Sequence, residues 1–302
     1  MPFLIRLFRF PQEGFDFAVN LLKGLFMSNI MILGQAPWSR EDIIGKLEEF
    51  SSLYDDRPIR DNAGGMHSPH MFLSWFALQA LQPKAIIESG VWRGLGTWFF
   101  ERACPEAQLY CIDPNLDHIQ YRSNRAKYFK RDFSTIDWSD LPLDKTLVFF
   151  DDHQDAYQRV QTAKWFGFKH LMFQDNYPRL QGNYYSLKKA FMHSGFNYTP
   201  AHSQSLQARL KRKAGALLGI AEYQYREILP NEIDAKYLRQ NFEVYYEFPP
   251  PFKAERTRWG DRWDDENYPT PEPLLNSVEK GYQQKFKDEA DHYTWMCYVK
   301  LR

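Results

Sequence analysis

The order of apolar and polar positions divides the chain into short continuous apolar runs and longer stretches with helical spacing. Runs at 85–87, 108–112, 145–150, 170–174 and 242–248 are too short for helices and end on charged residues, glycine or proline. They predict strands, most of them covered on both faces. The last run, 294–301, predicts a closing antiparallel strand. A helix is predicted over 39–54, with Ser39 as N-cap, Asp42 reaching back to it, and Ile43, Ile44, Leu47 and Phe50 as its apolar stripe. Further helices are predicted over 71–81, 97–103, 118–127, 160–166 and 184–193. Strands alternating with helices specify an α/β fold, a doubly wound sheet of seven strands, mostly parallel, preceded by an N-terminal helical extension.

The chain divides into an extension, 1–60, and an α/β domain, 61–302, with long insertions around 198–241 and 249–292. Residues 1–35 are apolar, but Pro11, Glu13, Asp16 and Lys23 interrupt them, so they predict neither a bilayer span nor a cleavable signal. Short helices packed on the core or on a second subunit, as a homodimer contact, are the preferred reading. A membrane-surface anchor is the other. Arg209, Lys211, Arg212 and Lys213 read as a solvated face, and the Trp-, Arg- and Asp-rich loop 253–273 as a lid or binding loop.

Charge balances at 38 basic against 38 acidic residues, which argues against a nucleic-acid partner. Cys104, Cys111 and Cys297 are too few and too scattered for a disulfide framework or a zinc site. Cys111 and Cys297 fall in strands and read as small buried hydrophobes. The expectation is a reducing, cytoplasmic setting.

The chemistry begins at 84–97, KAIIESGVWRGLGT: a strand ending on Glu88, a turn carrying Gly90, Gly94 and Gly96, then a helix. This spacing is neither the dinucleotide fingerprint nor a triphosphate loop. An acid at the strand tip repels a pyrophosphate and suits a cation such as a sulfonium or an amino group. The second strand ends on Asp113, where a carboxylate can accept from both hydroxyls of a ribose. The run 145–150 leads directly into Asp151, Asp152, His153, Gln154 and Asp155, and the run 170–174 ends on Asp175 and Asn176. Two neighbouring parallel strands therefore deliver hard oxygen ligands, suited to Mg²⁺, Ca²⁺ or Mn²⁺, to one rim. His67 and His70, three apart, have a spacing that metal ligands also use, but such pairs usually do other work.

The glycine turn resembles motif I of the class I S-adenosylmethionine-dependent methyltransferases. VFFDDHQDAY followed by FQDN resembles the metal-dependent O-methyltransferases of the catechol type and of the macrolide and aminocoumarin sugar type. The resemblance covers roughly 60–195 and the closing strands. It implies a Rossmann-like methyltransferase sheet and methyl transfer from S-adenosylmethionine to a hydroxyl of a small molecule or sugar. It places Glu88 near the methionine part of the cofactor, Gly90, Gly94 and Gly96 against it, Asp113 on the ribose, and Asp132 and Phe133 at the adenine. It assigns Asp151, Asp175 and Asn176 to a divalent ion, Mg²⁺, with Asp152 as the alternative first ligand, and brings Gly64, Gly65, Met66 and His67 to the site. Gln154 stands where the catechol type has a general-base Lys, and His153 where the sugar type has an Asp, so His153 is the candidate base beside Asp151. Two other classes remain: a cephalosporin-hydroxylase-like enzyme with iron in place of magnesium, and a non-catalytic binding protein on the same scaffold.

Overall fold

The computed structural model describes residues 32–179, 181–182, 184–193 and 232–302. The expectations for 1–31 and for the basic stretch 209–213 lie outside the described residues.

Helix α1 (Arg40–Gly45) opens with the expected capping box, Ser39 and Asp42 each accepting from the other's backbone N–H. The single helix expected over 39–54 is broken at Lys46 into α1 and α2 (Leu47–Asp55). Helix α3 (Ser68–Leu81) has Pro69 in its first turn and is buried on every side from Ser68 to Leu78, as its lack of a polar face requires.

The sheet runs β3-β2-β1-β4-β5-β7-β6. Strands β1 (Ala85–Ser89), β2 (Gln108–Ile112), β3 (Ala126–Phe129), β4 (Thr146–Phe150) and β5 (His170–Phe173) pair in parallel. Strand β7 (Cys297–Leu301) lies antiparallel between β5 and β6 (Phe242–Glu247). This is the doubly wound, mostly parallel seven-stranded sheet that the pattern specifies.

Alternate residues feed two separate cores. Ile86, Leu109, Leu147, Phe149, Met172 and Tyr298 face α1–α3 and α4 (Leu95–Ala103). Ile87, Ile112, Val148, Phe150, Leu171 and Val299 face α5 (Ala156–Phe166), α6 (Leu187–Phe191) and α7 (Glu232–Asn241). Covering on both faces is why these strands read as unbroken apolar runs.

The helix expected over 118–127 does not form. A single 3-10 turn, Leu116–His118, is followed by β3. Gln120 and Tyr121 both donate their backbone N–H to the Arg93 carbonyl, so tertiary bonds replace the helical ones. β3 is a half-exposed edge strand, which hides it from an apolar-run reading. Helix α6 is shorter than expected, starting after the Ser186 cap. Among the described residues no helix is long and apolar enough to cross a membrane.

Candidate active site at the carboxyl edge

The sheet order reverses between β1 and β4, and ligands of doubly wound folds bind beyond the carboxyl ends of the strands at that point. After β1, Gly90 donates its N–H to the Ile112 carbonyl and turns at φ 98°. A Cβ there would stand 2.1 Å from the Asp151 carbonyl oxygen, so only glycine lets the turn lie against the arm that follows β4. Gly94 caps α4 without a side-chain bond, and Gly96 sits in its first turn. A Cβ on Gly96 would stand 2.3 Å from Glu88 Oε1.

Glu88 is 2% exposed. Its Oε2 accepts from Thr97 Oγ1 and the Cys111 thiol, while Oε1 is buried without a partner in the protein. Burial pushes this carboxyl up to about 8. Ionised, it needs a cation at Oε1, which fits the amino-acid end of the implied cofactor. Asp113 holds the turn itself: Oδ2 accepts from Val91 and Trp92 N–H at 3.0 and 3.1 Å, and Oδ1 from Asn115 N–H at 2.9 Å.

Asp132 and Phe133 are not arranged as an adenine site. Asp132 takes both arms of the Arg159 guanidinium at 2.9 and 2.6 Å and is held well below the usual carboxylate range by that bond. Phe133 is fully buried against Trp138, Phe150 and Phe168 and offers no face to a ligand. The expectation for this pair is corrected: the 3-10 turn capped by Asp132 drives the ring into the core.

Asp151 follows β4 and Asp175 follows β5, and His153 stands between them. Its Nε2 lies 3.8 Å from Asp151 Oδ1 and 3.5 Å from Asp175 Oδ2. One ligand atom from each of the three falls within 4.8 Å of the others. Trp92, His153, Asp175 and Trp295 take φ between 51° and 60°, so left-handed backbone is concentrated on this rim. Burial and the Asp175 charge push the Asp151 carboxyl well up. Burial acts the same way on Asp175, but hydrogen bonds from His153 and Thr294 and the charge of His153 outweigh it, and the carboxyl is lowered. The bond to Asp175 raises His153 to about 9 against its partial burial. The two carboxylates, Asp175 buried and Asp151 partly so, form a hard oxygen donor pair that fits a divalent ion, with the His153 imidazole beside them.

Asn176 does not join this cluster. Its amide oxygen accepts from Lys188 N–H and its NH₂ donates to Tyr245 Oη, tying it to the buried Lys188–Glu247 pair. Asp152 is turned the other way, accepting from Ser89 Oγ and pairing with Arg159 at 2.8 Å. Asp155 caps α5. His70 is buried and pushed down to about 3 by burial, hence neutral. Its Nε2 accepts from Thr294 N–H at 3.0 Å, and its Nδ1 lies 2.8 Å from the Gln174 amide nitrogen, so both ring nitrogens are taken up within the protein. The His67–His70 pair is therefore not a metal site. His67 instead stacks on His292 and faces Glu289.

Asp151, His153, Gln174, Asp175 and Tyr184 line a cavity of about 430 Å³, closed by Gly64, Gly65 and Met66 on one side and by Arg258, Trp259 and Asp261 on the other. Tyr184 stacks on the His153 ring at 5.5 Å. The loop 61–66 is latched to the glycine turn by Trp92 Nε1 donating to the Ala63 carbonyl at 3.1 Å and by Arg93 donating to the Asp61 carbonyl.

No protein-family model and no curated protein matches the chain. Solved structures do. The Mg-SAM form of CmcI has 17% identity and a TM-score of 0.32, with 40% of this chain and 59% of that one matched. The chain thus spans under two thirds of that protein. The SAM complex of the O-methyltransferase TomG from Streptomyces achromogenes, involved in tomaymycin synthesis, has 15% identity and a TM-score of 0.33, with 66% and 84% matched. An SAH-bound methyltransferase from Podospora anserina has 14% identity and a TM-score of 0.33, with 71% and 91% matched. At these distances the reading of the site rests on its own residues.

Glu88, Gly90, Gly94, Gly96, Asp113, Asp151, His153 and Asp175 thus gather on one rim, while Asn176, Asp132 and Phe133 serve the scaffold. Sequence reasoning missed Arg159, the clamp between Asp132 and Asp152, for which no local signal exists. It also missed the contribution of Arg258 and Trp259, whose only signal is the composition of the loop they belong to.

Proposed function

We propose that the protein transfers the methyl group of S-adenosylmethionine to a hydroxyl oxygen of a small molecule or sugar, with a divalent cation, Mg²⁺ by its carboxylate donors. The observation that carries this is the direct contact of two unlike half-sites. Glu88, with its unpartnered buried oxygen, and the acid cluster of Asp151, His153 and Asp175 are joined through Gly90 packed on the Asp151 carbonyl. The cofactor supplies the electrophilic methyl group. Glu88 faces its cationic end, and the glycine turn lets it lie against bare backbone. Asp151 and Asp175 would hold the cation and fix the acceptor oxygen in line with the methyl carbon. His153 becomes neutral once the carboxylate charges beside it are balanced, and Nε2 then accepts the hydroxyl proton.

Calorimetric titration of S-adenosylmethionine and S-adenosylhomocysteine, with and without Mg²⁺, tests this. Micromolar binding of both, weakened in Glu88→Gln, is expected. No binding of either overturns it. One observation favours a second reading: a single imidazole with two carboxylates also suits iron, as a hydroxylase on this scaffold would need. Iron retained by the purified protein, with no cofactor binding, would select it.

A further inference from the structure

The wall of the cavity opposite the acid cluster is a short hairpin. Thr257 N–H donates to the Asp261 carbonyl at 2.8 Å, Gly260 N–H to the Thr257 carbonyl at 2.8 Å, and Arg256 bridges Arg262. Arg258 N–H donates to the Asp291 carbonyl at 2.7 Å, which fixes the tip against the residues before β7. The tip carries two side chains the proposed chemistry does not use. Trp259 is 60% exposed and lines the cavity, unusual for the largest apolar side chain. Its indole lies over the Arg258 guanidinium, 4.6 Å from ring centre to the central carbon.

Arg258 is half-committed. Nη1 donates to His292 Nδ1 at 2.9 Å, while Nε is buried under its neighbours with no partner in the protein. His292 is pushed down to about 4 by burial and is the neutral acceptor this bond requires. The free edge is the Nε–Nη2 side, the one through which a guanidinium takes a carboxylate by two parallel hydrogen bonds. A buried N–H without a partner is costly, and the indole over the guanidinium face leaves the in-plane edge for a ligand.

The other charged groups on the cavity are Asp151, Asp175, Asp261 and His153. Three acids disfavour an anion everywhere except at Arg258. Asp261, on the same hairpin, offers an acceptor for ring hydroxyls. A ligand that fits has hydroxyls toward the acids, a flat or ring face for Trp259, and its negative group at the far end.

We infer that the Arg258–Trp259 hairpin selects an acceptor that is a hydroxylated ring bearing a carboxylate, such as a uronic acid or a hydroxybenzoate, with the carboxylate on the Nε–Nη2 edge of Arg258 and the ring against Trp259. The inference rests on the methyl-transfer reading for calling this ligand the acceptor. A cavity of about 430 Å³ accommodates one such ring beside a cofactor's reactive end.

The test is tryptophan-fluorescence titration of the full chain in Mg²⁺ with two matched pairs, glucuronate against glucose and 3,4-dihydroxybenzoate against catechol. The pair that responds tells the sugar source from the phenolic one. At least one carboxylate should bind about tenfold or more tighter than its neutral partner. Arg258→Gln should bring the two within about twofold, and Arg258→Lys should fall between, since a point charge cannot reproduce the fork. Trp259→Phe should abolish the fluorescence change while calorimetry still registers the carboxylate. Thermal melting within about 2 °C of wild type excludes misfolding of these variants. Equal binding of both members of each pair, no binding at all, or a preference that survives Arg258→Gln overturns the inference. Calorimetry with S-adenosylmethionine separates the two claims. Cofactor binding without carboxylate preference leaves methyl transfer standing and removes this selectivity. Carboxylate preference without cofactor binding does the reverse.

Discussion

Glu88→Gln is the most informative single change, because the structure fixes both its sign and its size. The carboxyl is buried and its native pKa stands at about 8, against 4.5 in an unfolded chain. Between those values the native protein keeps a proton that the unfolded chain has lost. Stability therefore falls as pH rises through this window, by about 1.4 kcal/mol per pH unit at its steepest and by about 5 kcal/mol in total. Gln mimics the protonated acid and removes the dependence. Urea denaturation followed by tryptophan fluorescence at pH 5.5 and 7.5 should show Glu88→Gln gaining about 2–3 kcal/mol on wild type between the two conditions. The same group governs the cationic ligand. Wild-type affinity for S-adenosylmethionine should rise by up to about tenfold per pH unit from pH 6 and level off near pH 8, because the carboxyl must ionise to pair with it. Glu88→Gln should bind weakly and without this slope. A stability difference equal at both pH values would mean that Glu88 titrates as an ordinary carboxyl, and the argument for a buried cation site would fail.

Three further perturbations address the rest of the rim. Asp175→Asn should abolish the thermal stabilisation given by MgCl₂ and lower the methyl-transfer rate about 100-fold or more, with S-adenosylmethionine affinity kept within about threefold; melting curves with and without the ion and initial rates measure this. Arg159→Met should cost about 3 kcal/mol in urea denaturation, since it leaves Asp132 and the largely buried Asp152 facing each other with no counter-charge; a loss below about 1 kcal/mol would show the clamp to be incidental. Gly90→Ala should cost about 3 kcal/mol or more, because φ is 98° and the new Cβ meets the Asp151 carbonyl; cofactor binding and metal stabilisation should both be lost, which calorimetry and melting read separately.

The strands were legible because two cores cover both faces of the sheet, which turns each central strand into an unbroken apolar run. β3 escaped because an edge strand with half-exposed residues has no such run. The cap at Ser39 is written in two residues and could be read, whereas the break at Lys46 depends on how α2 must turn to meet α3. Asp151 and Asp175 were legible as candidates because strand ends locate them. Which of two adjacent side chains then faces the cavity is not set by spacing. Asp175 reaches the cavity through a left-handed turn at φ 60°, and the next residue, Asn176, is carried into the Lys188–Glu247–Tyr245 network. Phe133 was misplaced for the same reason, since the turn that Asp132 caps decides where the ring goes.

The acid run after β4 illustrates how one stretch of sequence is shared between chemistry and support. Asp151 opens onto the cavity, Asp152 turns back to Ser89 and Arg159, and Asp155 caps α5. A solvated cluster of like charges would leave all three exposed and interchangeable, and here each has a different partner. The backbone carries the coupling one step further. Asp151 N–H donates to the Ser89 carbonyl at 2.7 Å, and the next residue, Gly90, packs on the Asp151 carbonyl. The turn proposed to meet the methyl donor and the arm proposed to meet the acceptor are therefore two sides of one contact. Neither can shift by an ångström without moving the other, and transfer between a methyl carbon and an oxygen depends on alignment of that order.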